Sequence, residues 1–248
     1  MKIFDITLFG IQIAPSYYGL MYAMGFIFGY LILKRRKFLA ETELDSLVTY
    51  IFFGVILGGR LGYILFYDFS YYLSNPSQLF AVWKGGMSFH GGAIGVIIAM
   101  YFFAKKYKKS YLKITDNIVT ILPIGLGLGR IGNYLNKELL GRTYSGFLAV
   151  EKDGAKYFPS PLLEALLEGL VLYFILNYIF KKSKTPGETS GAFLTFYAVF
   201  RFLIEFIRVP DIQLGYIFNW LTMGQILSIP MFIVGIYFWL FFNKNSNE

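Results

Sequence analysis

The feature that most constrains this chain is a series of seven apolar runs, each about as long as a helix that crosses a bilayer. They cover approximately residues 15–33, 47–67, 86–104, 114–134, 160–180, 190–208 and 221–242. Only 15% of the 248 residues are charged, whereas soluble domains carry roughly 25%. The sequence therefore predicts an all-α polytopic membrane protein, with seven transmembrane helices in a single integral membrane domain, residues 1–248.

Lysine and arginine set the expected orientation. Thirteen of the 23 follow the odd-numbered runs, in clusters at residues 34–37, 105–113 and 181–184 and at Lys244. Such clusters mark cytoplasmic loops, so we expect the N-terminus outside and the C-terminus in the cytoplasm. A small extracytoplasmic loop domain then lies at about residues 135–159, between helices four and five. The net charge of +8 is explained by the loops, and we expect no nucleic-acid partner.

Polar residues inside the runs share one half of the bilayer when this orientation is combined with a rise of about 1.5 Å per residue. Arg130 illustrates the two interpretations: a helix-end arginine can snorkel to the headgroups, or it can mark a functional site. Because the polar residues come from many helices, we favour a shared cavity that opens to the outer leaflet. Its members would be Tyr18, Tyr22, Arg60, His90, Arg130, Asn133, Glu164, Glu168, Arg201, Glu205 and Arg208.

Arg201, Glu205 and Arg208 are spaced to lie on one helical face. They could form a self-satisfied charge ladder, but one glutamate cannot neutralise two arginines in full. With Arg130, the excess positive charge predicts a phosphate site, since arginine binds phosphate through paired hydrogen bonds. Acidic residues early in the fifth run, Glu164 among them, are interpreted as favouring a helix N-terminus.

The chain has no cysteine and a single histidine, His90, within the run GGMSFHGG. A thiolate nucleophile and a cysteine metal site are therefore excluded, and we expect neither a metal nor another cofactor. Histidine exchanges a proton near neutral pH, so His90 is a candidate general base, with a structural hydrogen-bonding role as the alternative. Residues 127–132 match GxGxxG, but a dinucleotide site needs a preceding strand; these glycines more plausibly allow close helix contact.

Six blocks of sequence resemble the prolipoprotein diacylglyceryl transferase family. The most specific is GLGLGRIGNYLNKELLGR, at residues 125–142. The others are YYGLMY, GGRLGYILFYD, GGMSFHGG, FRFLIEFIRVPD and LTMGQILSIPM, and they run in the family's order from about residue 17 to 231. The resemblance implies a multi-pass enzyme of the bacterial plasma (inner) membrane, with its active site towards the outer leaflet.

The resemblance also implies the reaction. The diacylglyceryl group of phosphatidylglycerol would move to the thiol of the lipobox cysteine in a prolipoprotein, forming a thioether and releasing glycerol 1-phosphate, as the first step of lipoprotein maturation. Its partners would be phosphatidylglycerol, the lipobox segment and membrane lipids. We assign catalysis to Tyr18, His90, Arg130 and Arg201. We assign phosphatidylglycerol binding to Arg130, Asn133, Glu138, Gly141, Arg201, Glu205 and Arg208.

The chemistry leaves one role open. A thiol sulfur must attack a glycerol carbon, and its ordinary pKa of about 8.5 means that either His90 or the arginine field must favour the thiolate. The family often has a second histidine before Pro-Ser-Gln-Leu-Tyr-Glu, but here Phe158 opens FPSPLLE, so a second catalytic histidine is excluded.

A lipid transporter or scramblase is the alternative function, since buried charges suit it too.

Overall fold

The computed structural model describes residues 6–8, 11–13, 17–81, 85–209 and 220–244, and these are mostly helical. In chain order the elements are β1 (Ile6–Leu8), β2 (Ile11–Ile13), α1 (Tyr17–Arg36), α2 (Glu41–Tyr67), α3 (Phe69–Ser74), a 3-10 helix (Pro76–Phe80), α4 (Phe89–Tyr107), α5 (Tyr111–Leu135), β3 (Val150–Lys152), β4 (Ala155–Tyr157), α6 (Ser160–Lys182), α7 (Glu188–Ile204) and α8 (Met223–Lys244). The strands form two antiparallel hairpins, β1–β2 and β3–β4.

Each of the seven apolar runs contains a long helix. Four of these helices are long and apolar enough to cross a membrane, namely α2, α5, α6 and the Met223–Phe241 part of α8. Large apolar side chains are exposed along them, as expected of surfaces that face lipid rather than water; examples are Leu57, Leu61, Leu65, Phe174, Tyr178, Ile233 and Leu240. The helical membrane architecture is confirmed, whereas the count of seven crossings and the orientation stay predictions.

The chain divides into two compact units, Leu33–Thr115, and Met1–Ile32 together with Asp116–Glu248. In the Leu33–Thr115 unit, α2 and α4 approach each other along glycines. A methyl group on Gly58 would lie 2.4 Å from the carbonyl oxygen of Gly91, and one on Gly95 would lie 2.1 Å from that of Gly54. Only glycine permits this distance, and small residues at four-residue spacing commonly build helix contacts in membranes.

The N-terminal part of α7 makes two close contacts within the larger unit, Met1–Ile32 with Asp116–Glu248. At its N-terminus, the Asp116 carboxylate accepts hydrogen bonds from the backbone nitrogens of Gly187 and Ser190, at 2.6 and 2.8 Å. Free N–H groups at a helix start favour such an anionic partner. Further along, Gly191 lies so close to α8 that a methyl group there would be 2.5 Å from the backbone nitrogen of Trp239.

Arg60 organises the segment that connects α2 to α4. Its side chain is buried, with only 5% of the residue exposed, and its guanidinium lies 5.0 Å from the centre of the Tyr72 ring. All three guanidinium nitrogens donate hydrogen bonds to main-chain carbonyls. The acceptors are Leu79 (3.0 Å), Gly85 (2.6 Å), Gly86 (3.2 Å), Gln78 (2.6 Å) and Ala81 (3.3 Å). One positive charge thereby serves as donor to a group of carbonyls that converge in this irregular segment.

We expect Arg60→Ala to lower the free energy of unfolding by about 3 kcal/mol, because buried carbonyls lose a charged donor. Hydrogen exchange should increase in residues 76–81, and the melting temperature of the detergent-solubilised protein should fall. Arg35→Ala is the matched control, since Arg35 is exposed in the same unit. An Arg60→Ala protein with unchanged exchange in this segment would contradict the assignment.

Candidate active site

Six charged side chains from three helical regions converge in the larger unit. We call them the ion-pair cluster. They are Arg130 on α5, Glu164 and Glu168 on α6, and Arg201, Glu205 and Arg208 at and just beyond the end of α7. Within α6, residues Ala165–Val171 form a π-helix that begins directly after Glu164 and contains Glu168. Such departures from α-helical geometry are frequent at functional sites.

Glu164 is the centre of the cluster. Its Oε2 atom lies 3.0 Å from Arg130 Nε, 3.0 Å from Arg208 Nη1 and 3.7 Å from Arg201 Nη1. Arg208 Nη1 also donates to Oε1 at 3.1 Å. The glutamate side chain is fully buried, so removing it would leave several guanidinium groups without their main counter-charge in a region of low dielectric.

Glu205 connects the cluster to α8. Its Oε1 pairs with Arg201 and lies 3.4 Å from Arg208 Nε, while Oε2 accepts a 2.7 Å hydrogen bond from the Thr222 hydroxyl. Thr222 in turn caps α8: its hydroxyl accepts from the Gln225 nitrogen, and the Gln225 side chain accepts from the Thr222 nitrogen. This reciprocal arrangement is a capping box. It fixes the threonine hydroxyl that positions the Glu205 carboxylate.

The structure corrects one expectation about charge. The sequence predicts an uncompensated positive charge, because Glu205 alone faces two arginines on its helix. Glu164 and Glu168 are predicted to lie in the same cavity but are interpreted as favouring a helix N-terminus. In fact Glu164 and Glu168 are ion-paired within the cluster, so three arginines meet three glutamates and the formal charges cancel. The signal that the sequence offered was a pair of acids, four residues apart, within a run that is otherwise apolar.

The helical face predicted for Arg201, Glu205 and Arg208 is shorter than expected. α7 ends at Ile204, and residues 205–207 form a turn. Glu205 keeps a right-handed helical conformation (φ −57°, ψ −25°), so its pairing with both arginines survives the helix end. The predicted contacts are therefore present, although a continuous helix does not create them.

Solvent exposure divides the side chains of the ion-pair cluster into two groups. The Arg130 and Arg201 side chains are each 18% exposed, whereas the other four are between 0 and 7% exposed. Arg201 Nη1 is also buried without a hydrogen-bond partner among the described residues. Arg130 and Arg201 are therefore the members that a ligand can reach. Arg208 directs Nη1 to Glu164 and Nε to Glu205 and so holds the carboxylates.

Tyr18, Asn133 and Glu138 form a second polar group on the same unit. Asn133 is buried, one helical turn beyond Arg130. Its side-chain nitrogen lies 3.2 Å from the Tyr18 hydroxyl and 3.4 Å from Glu138 Oε2. The Tyr18 ring also contacts Tyr22, with centroids 5.1 Å apart. The structure thus brings Tyr18 next to two predicted residues that follow it by more than 100 positions.

Gly141 has a main-chain role. Its nitrogen donates to the Phe158 carbonyl at 2.8 Å, and it bridges to Arg208 in antiparallel fashion. A methyl group on Gly141 would lie 2.9 Å from the carbonyl oxygen of Ile207, so any larger residue would push the loop away. Gly141 therefore docks the polar loop against the chain segment that carries Arg208.

His90 lies in the other unit, in the first turn of α4. Its side chain is exposed, and its ring centre is 5.8 Å from that of Phe89. Ser88 caps the helix by accepting a 3.2 Å hydrogen bond from the Gly91 nitrogen. The general-base role of His90 stays a prediction. Among the residues that the structure describes, no three His, Cys, Asp or Glu side chains are grouped so as to hold a metal ion.

Comparison with known proteins gives the relationship. Residues 6–241 match the family model described as prolipoprotein diacylglyceryl transferase. A phosphatidylglycerol–prolipoprotein diacylglyceryl transferase of Pasteurella multocida is 48% identical over 242 residues, 94% of this chain and 90% of that protein. Proteins of the same name from Nitratidesulfovibrio vulgaris and Rickettsia bellii are 46% and 48% identical, over 89% and 91% of this chain and 88% and 90% of their own lengths. The chain therefore belongs to the prolipoprotein diacylglyceryl transferase family.

Proposed function

We propose that Arg130 and Arg201 bind the phosphate of phosphatidylglycerol while its diacylglyceryl group moves to a prolipoprotein. The overall transfer follows from family membership, since relatives of high identity over most of the chain are named for this reaction. The observation that supports the phosphate site is the division of the ion-pair cluster. Arg130 and Arg201 are its two accessible members, and Arg201 Nη1 has no hydrogen-bond partner among the described residues.

The buried members of the cluster would orient these two arginines before the lipid arrives. Glu164 contacts both guanidinium groups, Glu168 contacts Arg130, and Glu205 contacts Arg201. Donors held in place in this way stabilise charge without reorganising during the reaction. Arginine suits the task because its planar guanidinium carries five N–H donors in a fixed geometry, so one group can contact a carboxylate and a phosphate together.

The proposed transfer is a displacement at a glycerol carbon of the lipid. The sulfur of the lipobox cysteine forms a C–S bond, the C–O bond to phosphate breaks, and the electron pair leaves with the phosphate oxygen. Glycerol 1-phosphate is the other product, and the thiol proton balances the new phosphate charge. Arg130 and Arg201 would stabilise the leaving oxygen. The thiol, with an ordinary pKa of about 8.5, needs help from His90 or from the arginines to ionise near pH 7.

The second polar group suits the hydroxyls of the lipid headgroup. The Asn133 amide lies 3.2 Å from the Tyr18 hydroxyl and 3.4 Å from the Glu138 carboxylate, so the group offers both donors and acceptors. We assign headgroup recognition to these three residues, and the proposed catalytic role of Tyr18 stays a prediction. Gly141 supports them by docking the loop that carries Glu138.

The transporter or scramblase alternative has no support from the comparisons, since the relatives described above carry transferase names. A direct assay separates the two classes. Purified protein should lipidate a lipobox peptide when phosphatidylglycerol is supplied, and it should do so in detergent, where there is no membrane for lipid to cross. Absence of lipidated peptide under those conditions would argue against the transferase.

We also propose that the protein lies in the bacterial plasma membrane with seven crossings, its N-terminus outside and its site towards the outer leaflet. The proposal rests on the basic clusters and on the polar loop at residues 135–159. Because the chain has no cysteine, single cysteines can be labelled in spheroplasts without background. Ser145→Cys should react with an impermeant maleimide, and Lys184→Cys should react only after permeabilisation. The reverse pattern would overturn the orientation.

Arg201→Ala and Arg130→Ala should each reduce the initial rate of lipobox-peptide lipidation by roughly a hundredfold or more, because a donor to the leaving phosphate is lost. Lysine at either position should restore little activity, since it lacks the paired donors. Arg35→Ala is the control, because Arg35 is exposed and lies outside the site. A folded Arg201→Ala protein with full activity would remove the phosphate assignment.

His90→Gln tests the base. Glutamine keeps a hydrogen-bonding group but cannot take the thiol proton, so the rate should fall by roughly a hundredfold or more. The defect should shrink as the pH is raised from about 6 to 9, because the substrate thiol begins to ionise by itself. If instead the variant is nearly as active as the wild type with a parallel pH profile, the arginine field is the source of the thiolate. Binding of phosphatidylglycerol should be measured alongside.

A further inference from the structure

Glu168 is the least compensated carboxylate of the ion-pair cluster. Its side chain is fully buried, yet among the described residues it has a single ion pair, to Arg130 Nη2 at 3.3 Å. Its Oε1 atom has no hydrogen-bond partner among the described residues. By contrast, Glu164 contacts three arginines, and Glu205 contacts two arginines and the Thr222 hydroxyl. A buried carboxylate oxygen without a donor is costly, and the mechanism described above gives it no role.

The charged and titratable groups that face Glu168 come from each helix around it. Arg130 faces it from α5, Arg201 and Tyr197 from α7, and Glu164 from its own helix. The two arginines that interact electrostatically with Glu168, Arg130 and Arg201, are the same two that are proposed to bind the lipid phosphate. Any negative charge placed on them competes directly for the attraction that keeps Glu168 ionised.

Lipid binding would disturb a neutral cluster. A phosphodiester brings one negative charge to a set of three arginines and three glutamates whose formal charges cancel. An uncompensated charge in a region of low dielectric is unfavourable. The simplest compensation is one proton on a carboxylate, and protonating Glu164 or Glu205 would sacrifice more charge-assisted contacts than protonating Glu168.

We propose that Glu168 takes up a proton from solvent when the phosphate of phosphatidylglycerol binds to Arg130 and Arg201. The inference rests on the proposed phosphate site. The unpartnered Oε1 receives the proton, Oε2 keeps its contact with Arg130, and the lipid-bound cluster is again neutral. The proton returns to solvent when the phosphate product leaves. Glu168 is a charge-adjusting residue of the binding site and does not touch the reacting atoms.

Proton uptake makes lipid affinity depend on pH in a definite direction. Because the complex holds one more proton than the free protein and lipid, the Kd should rise with pH. The rise should approach about tenfold per unit where Glu168 is ionised in the free protein and protonated in the complex. Below that range the Kd should be flat, because the carboxyl is already protonated before the lipid binds.

The experiment is calorimetric titration of the detergent-solubilised full chain with phosphatidylglycerol, from about pH 5 to 9, in two buffers of different ionisation enthalpy at each pH. The wild type should show a buffer-dependent heat that corresponds to as much as about one proton taken up. Glu168→Gln should bind with a nearly pH-independent Kd and a heat that no longer depends on the buffer. Glu151→Gln, an exposed glutamate outside the cluster, should behave as the wild type does.

The outcomes separate the two proposals. Wild type that binds phosphatidylglycerol with the same heat in both buffers overturns proton uptake but leaves the phosphate site intact. Wild type that does not bind the lipid at any pH overturns the phosphate site itself. A Glu168→Gln protein that retains the pH dependence shows that another group, such as His90, takes the proton. If this variant does not fold, infrared difference spectra of the wild type decide: a carboxylic-acid carbonyl band must appear on lipid binding, and its absence overturns the inference.

Discussion

The contact on which the site depends is the Glu164 carboxylate, where guanidinium groups from two different helical regions meet. Arg130 and Arg208 approach one oxygen at 3.0 Å, and Arg201 approaches it at 3.7 Å. Arginines at membrane depth are expensive unless they are paired, so this buried anion is what allows three of them to be concentrated in one place. The pairing also sets their geometry, because each guanidinium is fixed by at least one carboxylate that does not itself reach the surface.

Much of the fold could be predicted from the sequence, because apolar runs of bilayer length have few alternatives to a helix. The ends of helices were less predictable. α2 begins at Glu41, before the apolar run, since acidic residues suit its N-terminus. The bonds of Arg60 to five carbonyls, the nearest of them 18 residues away, were not predictable at all. They depend on how an irregular segment folds back, and composition and periodicity carry no information about that.

Only part of the site could be predicted, because the sequence shows where charged residues lie but not how they pair between helices. Depth and spacing identified Arg130, Arg201 and Glu205, and the structure brings them together. The acids on α6 were interpreted as local helix stabilisers, because a sequence shows which charges lie near a helix end but not which charges face them from other helices. Phe158 is a second example of a role that the side chain does not reveal. It supports the loop through main-chain hydrogen bonds with Gly141 and Arg142.

Neutrality restricts how the cluster can bind an anion. If the glutamates left their arginines to admit a phosphate, buried carboxylates would lose their donors, and each loss costs about as much as a hydrogen bond to a charged group contributes. Arg130 offers a way around this, since only its Nε and Nη2 are paired with glutamates in the cluster and its side chain is 18% exposed, so that Nη1 could donate to a phosphate. Arg201 likewise keeps Glu205 on Nη2 and has Nη1 without a hydrogen bond. In the proposed phosphate site the two arginines would therefore share their donors between carboxylate and phosphate, and the excess negative charge would have to be absorbed elsewhere in the cluster.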